Sequence, residues 1–207
     1  MPRLTAGTTR DRILDVTAEL MRSAGLTALT TREIARAAGL TEAALYRHFK
    51  NKEDLLTCAL AERMPAFLEI LKHLPQRVGQ ESVEETLLRV TEAAVPFYRK
   101  LMPIVSAVFS DPTLLARHRD WAQETGLGPQ RANLALVGYV RAEVSAGRLA
   151  PGFDADAAAA MLLGACLQRA FFDEFMGRPE DPAEVAAFAA AVVQTLLQPA
   201  TPGHRKL

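Results

Sequence analysis

Hydroxyl side chains stand at the predicted starts of two short helices in the first quarter of the chain. Thr31 opens one of these helices and Thr41 opens the other. A hydroxyl beside the free backbone amides of a helix N-terminus can hold a phosphate oxygen, because the amides and the helix dipole both favour a negative group there. Basic and aromatic side chains lie in the same stretch: Arg32, Arg36, Tyr46, Arg47, His48 and Lys52. These residue types favour contacts to a nucleic-acid backbone.

Capping signals bound the short helices. Thr30 and Glu33 have the spacing of a capping box, in which each side chain accepts a hydrogen bond from the other residue's amide. Gly39 interrupts the helical pattern and Thr41 restarts it as an N-cap. Asn51 is predicted to cap a fourth helix, which opens with Lys52. The stretch is therefore predicted to form several helices that are separated by tight turns.

A helix-turn-helix needs a small residue where its two helices cross and a glycine-compatible residue in the turn. Ala35 and Gly39 meet these two requirements. Apolar residues must then hold the second helix at a fixed angle, and the chain has them at suitable spacing: Ile34, Ala38, Leu40, Leu45 and Phe49. The opposite side of the second helix is left free to meet DNA.

The segment from Thr30 to Leu55 resembles the TetR family. The matching runs are TTREIA from Thr30, GLT from Gly39 and LYRHFKNKEDL from Leu45. The resemblance covers about the first quarter of the chain, and the remainder matches the family in length and helical class only. It implies an all-α protein with an N-terminal helix-turn-helix three-helix bundle (residues 1–55). A C-terminal helical domain for effector binding and dimerisation (residues 56–207) is expected to follow.

The same resemblance implies that the third helix enters the major groove of DNA while neighbouring residues hold phosphates. The predicted phosphate contacts are Thr31, Arg32, Thr41, Tyr46, Arg47, His48 and Lys52. The residues predicted to face base edges, at the front of the recognition helix, are Glu42, Ala43 and Ala44. The expected partner is a double-stranded, palindromic operator that a homodimer reads, with repression as the expected outcome.

The resemblance also implies that two late helices pair with their equivalents in a second subunit, and the candidates are Arg131 to Ala146 and Asp154 to Met176. The alternative is that their apolar residues fill the core of a single subunit. A small apolar or aromatic effector is expected, because the candidate pocket residues carry no charge. These residues, each of which alternatively packs in an ordinary core, are Phe67, Ile70, Leu71, Phe97, Phe109, Trp121 and Phe171.

Apolar residues at helical spacing continue along the whole chain. The first helix is predicted to begin after Thr8 or Thr9 and to end at Gly25, and the fourth to reach Pro75 with a kink or division at Pro65. The later helices are predicted at roughly Ser82–Leu101, Ile104–Phe109, Asp111–Glu124, Pro129–Ala146, Asp154–Met176 and Ala183–Leu197. No alternating β pattern stands out, so the predicted fold class is all-α.

Composition excludes several other classes. The 207 residues carry 24 basic and 24 acidic side chains, so net charge alone does not indicate a nucleic-acid partner. Cys58 and Cys166 lie far apart, and the four histidines lack metal-ligand spacing, so we expect no disulfide, metal or cofactor. No run approaches the ~18 uninterrupted apolar residues of a membrane span, which favours a cytoplasmic protein without a membrane partner.

Two other function classes remain as alternatives. An enzyme on a helical bundle would need converging acid, base or metal groups, and no recognisable constellation of these is present, so a non-enzyme is expected. A helical adaptor that binds only protein is the second alternative. Binding to random duplex DNA separates the classes, because only a DNA-binding protein should show a steep dependence on salt.

Overall fold

The structure is a computed structural model that describes residues 8–24, 29–63, 66–110, 112–125 and 128–198. These residues form ten α-helices and no strand, so the prediction of an all-α protein is confirmed. The helices are α1 (Thr9–Ala24), α2 (Thr31–Ala37), α3 (Glu42–Leu45), α4 (Lys52–Arg63), α5 (Ala66–Arg77), α6 (Val83–Ser110), α7 (Pro112–Thr125), α8 (Gln130–Ser145), α9 (Ala155–Phe175) and α10 (Pro182–Leu197). Contacts divide the chain into two units, residues 1–68 with 100–128 and residues 69–99 with 129–207.

Reciprocal side-chain caps begin the first two helices. The Thr8 hydroxyl accepts from the Asp11 amide at 3.2 Å, and the Thr8 amide donates to the Asp11 carboxylate at 3.1 Å. Thr30 and Glu33 make the same pair of bonds at 3.2 and 2.9 Å, which confirms the predicted capping box. These bonds satisfy amides that a helix start otherwise leaves unpaired. The predicted end of the first helix, Gly25, lies outside the described residues.

Apolar side chains of α1 to α4 form the core of the first unit. Those with 0 % exposure include Ile13, Leu14, Ile34, Leu45 and Leu55. Val108, near the end of α6, joins the same cluster. α1 packs against α2 and α4, and α2 packs against α3. The predicted inward face of α2 is confirmed, since Ile34, Ala35 and Ala38 are all buried.

The predicted separation of Ser82–Leu101 from Ile104–Phe109, with a break at Pro103, is wrong. α6 runs without interruption from Val83 to Ser110 and includes both Pro96 and Pro103. A proline inside a helix lacks one backbone donor and crowds the preceding turn, yet its fixed φ is compatible with a helix. Val95 and Val108, on either side of Pro103 in the same helix, are both buried.

The predicted fourth helix appears as two helices, α4 and α5. Pro65, the predicted point of division, lies outside the described residues. α5 also extends two residues past Pro75 and ends at Arg77. The predictions for the last three helices are confirmed to within one or two residues. The proposed functional boundary at residue 55 stays a prediction, because contacts within one chain do not test which residues bind DNA or an effector.

Two buried carboxylates in the second unit are each paired with an arginine. Glu143 has no exposed side-chain surface and accepts from Arg148 Nε at 2.6 Å. Asp173 accepts from Arg169 Nε at 2.6 Å, and Arg169 also donates to Glu184 on α10 at 2.8 Å. Pairing offsets the cost of removing these charges from water. The two arginines therefore fix the turn after α8 and hold α10 against α9.

α9 is apolar on two opposite sides. One side packs against α8 and α10 and buries Leu162, Cys166 and Ala170. The other side and the helix end expose six large apolar side chains, which we call the α9 face: Met161 (63 %), Leu167 (43 %), Phe171 (50 %), Phe172 (50 %), Phe175 (75 %) and Met176 (65 %). By length and composition alone α9 is apolar enough to cross a membrane, and 39 % of its most apolar window is buried. Packing within one chain therefore covers only one of the two apolar sides of α9.

Candidate nucleic-acid interface

The segment from Thr30 to Leu55, called the reading head below, presents a helix of only four residues. Gly39 turns the chain at a φ of 68°, a left-handed conformation that glycine adopts without steric cost. Thr41 then caps α3, since its hydroxyl accepts from the Ala44 amide at 3.2 Å. Leu45 is fully buried and anchors the end of α3 in the core. The turn and the cap predicted from the sequence are both confirmed.

Three consecutive residues after α3 face solvent. Tyr46, Arg47 and His48 are exposed, Tyr46 to 47 %. The flanking Leu45 and Phe49 are buried to 0 and 2 % exposure. Because the backbone is anchored at both ends of this short run, the three side chains extend outward from a fixed base.

Phe49 is held from a second direction. The Arg10 guanidinium lies 5.4 Å from the centre of the Phe49 ring, within the range of a cation–π contact. The His48 ring lies 6.5 Å from the same ring. Sequence reasoning identified Phe49 as a core residue but did not pair it with Arg10, because no local signal links residues 39 positions apart.

The start of α4 is fixed by two side-chain hydrogen bonds. Asn51 accepts from the Asp54 amide at 2.7 Å, as predicted for an N-cap. The Asp54 carboxylate in turn accepts from the Lys50 amide at 2.8 Å. Lys52, the first residue of α4, is half-buried. These bonds set the path of the chain between the exposed turn and α4.

Most basic side chains of the reading head are available to bind an anion. Among the described residues, Arg32, Arg36, Arg47 and Lys52 form no ion pair. The three arginines are also exposed. Lys50 differs, since its Nζ lies 3.4 Å from Oε2 of Glu124 on α7. Positive groups that form no close ion pair need not break one to bind a phosphate, which favours nucleic-acid contact.

The structure places the ten predicted DNA-binding residues on α2, at the N-cap of α3, on α3, in the turn after α3 and at the first residue of α4. Those that are exposed are Arg32, Thr41, Ala43, Tyr46, Arg47 and His48. Those that are half-buried are Thr31, Glu42, Ala44 and Lys52. None is buried, so every one retains surface for DNA. Their individual roles stay predictions.

The predicted effector residues divide between the two units. Phe67, Phe109 and Trp121 belong to the first unit, and Ile70, Leu71, Phe97 and Phe171 belong to the second. Phe67 and Leu71 are buried, Ile70 and Phe97 are half-buried, and Phe109 and Phe171 are at least half exposed. The side chain of Trp121 lies outside the described part. The effector role of these residues stays a prediction.

Comparison with known proteins identifies the reading head. Residues 13–57 match the sequence model of bacterial regulatory proteins of the tetR family. The chain is 27% identical over 148 residues to the HTH-type transcriptional regulator YvkB of Bacillus subtilis, covering 72% of this chain and 74% of that protein. It is 46% identical over 103 residues to the HTH-type transcriptional regulator AcrR of Shigella flexneri, covering 47% of each chain.

Solved structures extend the similarity to nearly the whole fold. A TetR-family regulator of Mesorhizobium loti matches with a TM-score of 0.67 at 20% identity, over 91% of this chain and 95% of that one. The regulator FadR of Bacillus subtilis, solved in complex with stearoyl-CoA, matches with a TM-score of 0.60 at 19% identity, over 90% and 97% of the two chains. The solved structures and the sequence matches thus point to the same kind of protein, a helical regulator with an N-terminal helix-turn-helix. Residues 13–57 therefore carry the DNA-binding domain of the tetR family of bacterial regulatory proteins, and the chain as a whole shares the helical fold of solved regulators of that family.

Proposed function

We propose that the protein is a ligand-responsive repressor that binds a palindromic operator as a homodimer. The observation that carries this proposal is the exposed set of hydroxyl, aromatic and basic side chains on a rigid reading head. The base of this set is fixed by the buried Leu45 and Phe49 and by the caps at Thr30, Thr41 and Asn51. A pre-ordered surface loses little conformational entropy when it binds DNA.

A second copy of the chain is the proposed partner of the α9 face. Phe171 stacks on Phe175 with ring centres 5.8 Å apart, and Phe172 lies 5.7 Å from Phe171. Exposed apolar patches of this kind usually mark an interface. Pairing α8 and α9 with their equivalents in a two-fold dimer would cover the patch and present two reading heads together. Two recognition helices about 34–36 Å apart would read successive major grooves.

A small apolar or aromatic molecule is the proposed effector. Three of the four candidate residues in the second unit, Ile70, Leu71 and Phe97, are apolar and buried or half-buried. FadR of Bacillus subtilis, which shares the fold, binds stearoyl-CoA, so acyl chains are sensible probes beside aromatic compounds. An effector lowers operator affinity if it binds better to a conformation in which the two reading heads no longer match the groove spacing. We propose neither an enzymatic activity nor a membrane role, and we place the repressor in the cytoplasm, where its operator is.

Selection of binding sites from a random DNA library tests the DNA part of the proposal. The expected result is a two-fold symmetric sequence that binds one dimer with a steep dependence on salt. The mass of the complex, measured by light scattering, should equal that of two chains on one duplex. An asymmetric selected site, or a single chain bound to it, would overturn the dimeric mechanism.

A thermal-shift screen of acyl and aromatic compounds tests the effector part. A true effector raises the melting temperature of the protein, because it binds the folded state. The same compound should also release the protein from the selected operator. If no compound that stabilises the protein weakens operator binding, the proposed apolar effector is wrong.

A further inference from the structure

Lys50 is the basic residue of the reading head that the structure pairs with a carboxylate outside it. Its Nζ lies 3.4 Å from Glu124 Oε2, and the two side chains are 70% and 66% exposed. Glu124 lies in the last turn of α7, which belongs to the same contact unit as the reading head. The pair therefore places a negative charge from a distant part of the sequence beside the predicted DNA-binding surface.

We propose that Glu124 competes with DNA phosphates for Lys50 and thereby lowers the affinity of the repressor for all DNA. This proposal rests on the proposed DNA-binding function. It assigns to Glu124 the regulation of DNA affinity at the same surface. In the free protein the Lys50 ammonium pairs with the Glu124 carboxylate. When DNA binds, Lys50 exchanges this carboxylate for a phosphate, and the freed Glu124 charge remains close to the polyanion.

The position of Lys50 supports this exchange. It lies two residues from both His48 and Lys52, which are predicted phosphate contacts, and its backbone amide is held by Asp54 at 2.8 Å. The chain path is thus fixed while the long side chain remains exposed and free to change partner. An exposed pair is weak, so phosphates can displace Glu124 and the pair tunes affinity without blocking DNA.

Asp120 provides a matched control on the same helix. It is exposed, precedes Glu124 by one turn, and forms no ion pair among the described residues. Glu124→Gln and Asp120→Asn each remove one negative charge from α7, but only the first removes the partner of Lys50. A general charge effect changes both variants equally, whereas competition for Lys50 changes Glu124→Gln more.

The experiment measures affinity for one fixed duplex by fluorescence anisotropy at several salt concentrations, with thermal unfolding as a check of folding. We expect Glu124→Gln to bind about three- to fivefold more tightly than Asp120→Asn at low salt, with the difference shrinking as salt rises. In a Lys50→Met background the two changes should become equal, because the competition no longer exists.

Failure of this inference differs from failure of the proposed function. If the wild-type protein binds no duplex at low salt, the DNA-binding function itself fails. If the wild type binds but Glu124→Gln matches Asp120→Asn, the competition is absent and the inference is overturned. If Glu124→Gln still binds DNA more tightly than Asp120→Asn in the Lys50→Met background, the inference is also overturned, because the effect then does not depend on Lys50.

Discussion

In the reading head every buried side chain is apolar and most exposed ones are charged or polar, whereas the α9 face exposes six large apolar side chains. The reading head buries its apolar residues within its own chain, and the surface that remains suits a charged polymer in water. The α9 face retains apolar area, which only another apolar surface removes from water. The two regions therefore suit partners of opposite chemistry: a charged polymer for the reading head and an apolar surface for the α9 face.

The largest effect is expected from a substitution in the core that supports the reading head. Leu45→Ala removes a fully buried side chain and is expected to lower the free energy of unfolding by about 2–5 kcal/mol. DNA binding should be lost with it. The matched control is Ala43→Ser on the same helix, where the side chain is exposed and a change of only about 0.5 kcal/mol or less is expected. Urea unfolding of both variants measures the difference, and equal stabilities would contradict the core role of Leu45.

The α9 face is tested by a charge at its most exposed side chain, Phe175. Phe175→Glu places a carboxylate where an apolar contact with a second copy is proposed, and we expect the dimer dissociation constant to rise at least about a hundredfold. The monomer should keep its helix content, because Phe175 is 75 % exposed in a single chain. Sedimentation of this variant beside Glu92→Lys, an exposed change on α6, gives the comparison. A Phe175→Glu protein that remains as dimeric as the control would rule out this face.

Substitutions that separate phosphate contacts from base contacts in the reading head are expected to have a smaller effect. Lys52→Ala is expected to weaken binding to every sequence and to reduce the salt slope by about 1, since one phosphate contact is lost. Replacing Ala44 should instead change which operator is preferred. Anisotropy titrations on the selected operator and on point variants of it separate the two outcomes. The assigned roles are contradicted if both substitutions weaken all duplexes equally.

The smallest expected effect concerns the cap of α2. Bonds from the Thr30 amide and hydroxyl hold the pKa of Glu33 below its ordinary value of 4.5. Because the folded pKa is the lower one, the contribution of this cap is present above pH 4.5 and is lost as the pH falls through the lowered value. Glu33→Gln should therefore melt at a lower temperature than the wild type at pH 7, with the gap narrowing in acid. A gap that stays constant down to pH 3 would exclude the charge of Glu33 as its cause.

The features that sequence reasoning placed correctly are local. The capping box joins residues three apart, and the Gly39 turn and the Thr41 cap likewise depend on neighbours within a few positions. The inward residues of α2 follow from helical spacing. Such signals act within one or two turns, so the sequence alone specifies them.

The features that it missed depend on distant packing. Lys50 and Glu124 are 74 positions apart, and no sequence pattern near either residue predicts their contact. Pro103 was expected to end a helix because local rules count the lost hydrogen bond but not the packing of the flanking turns. The sequence identified the apolar character of α9, but which of its two sides is covered depends on the placement of α8 and α10.

Because α3 has only four residues, few of its side chains contribute to the core. Only Leu45 among its four residues is buried, while Glu42, Ala43 and Ala44 all keep solvent-accessible surface. If these three residues contact base edges as proposed, substitutions there change the preferred operator and leave the core of the domain intact. Gene duplication followed by change at a few codons would give a paralogue with its own target and an intact scaffold.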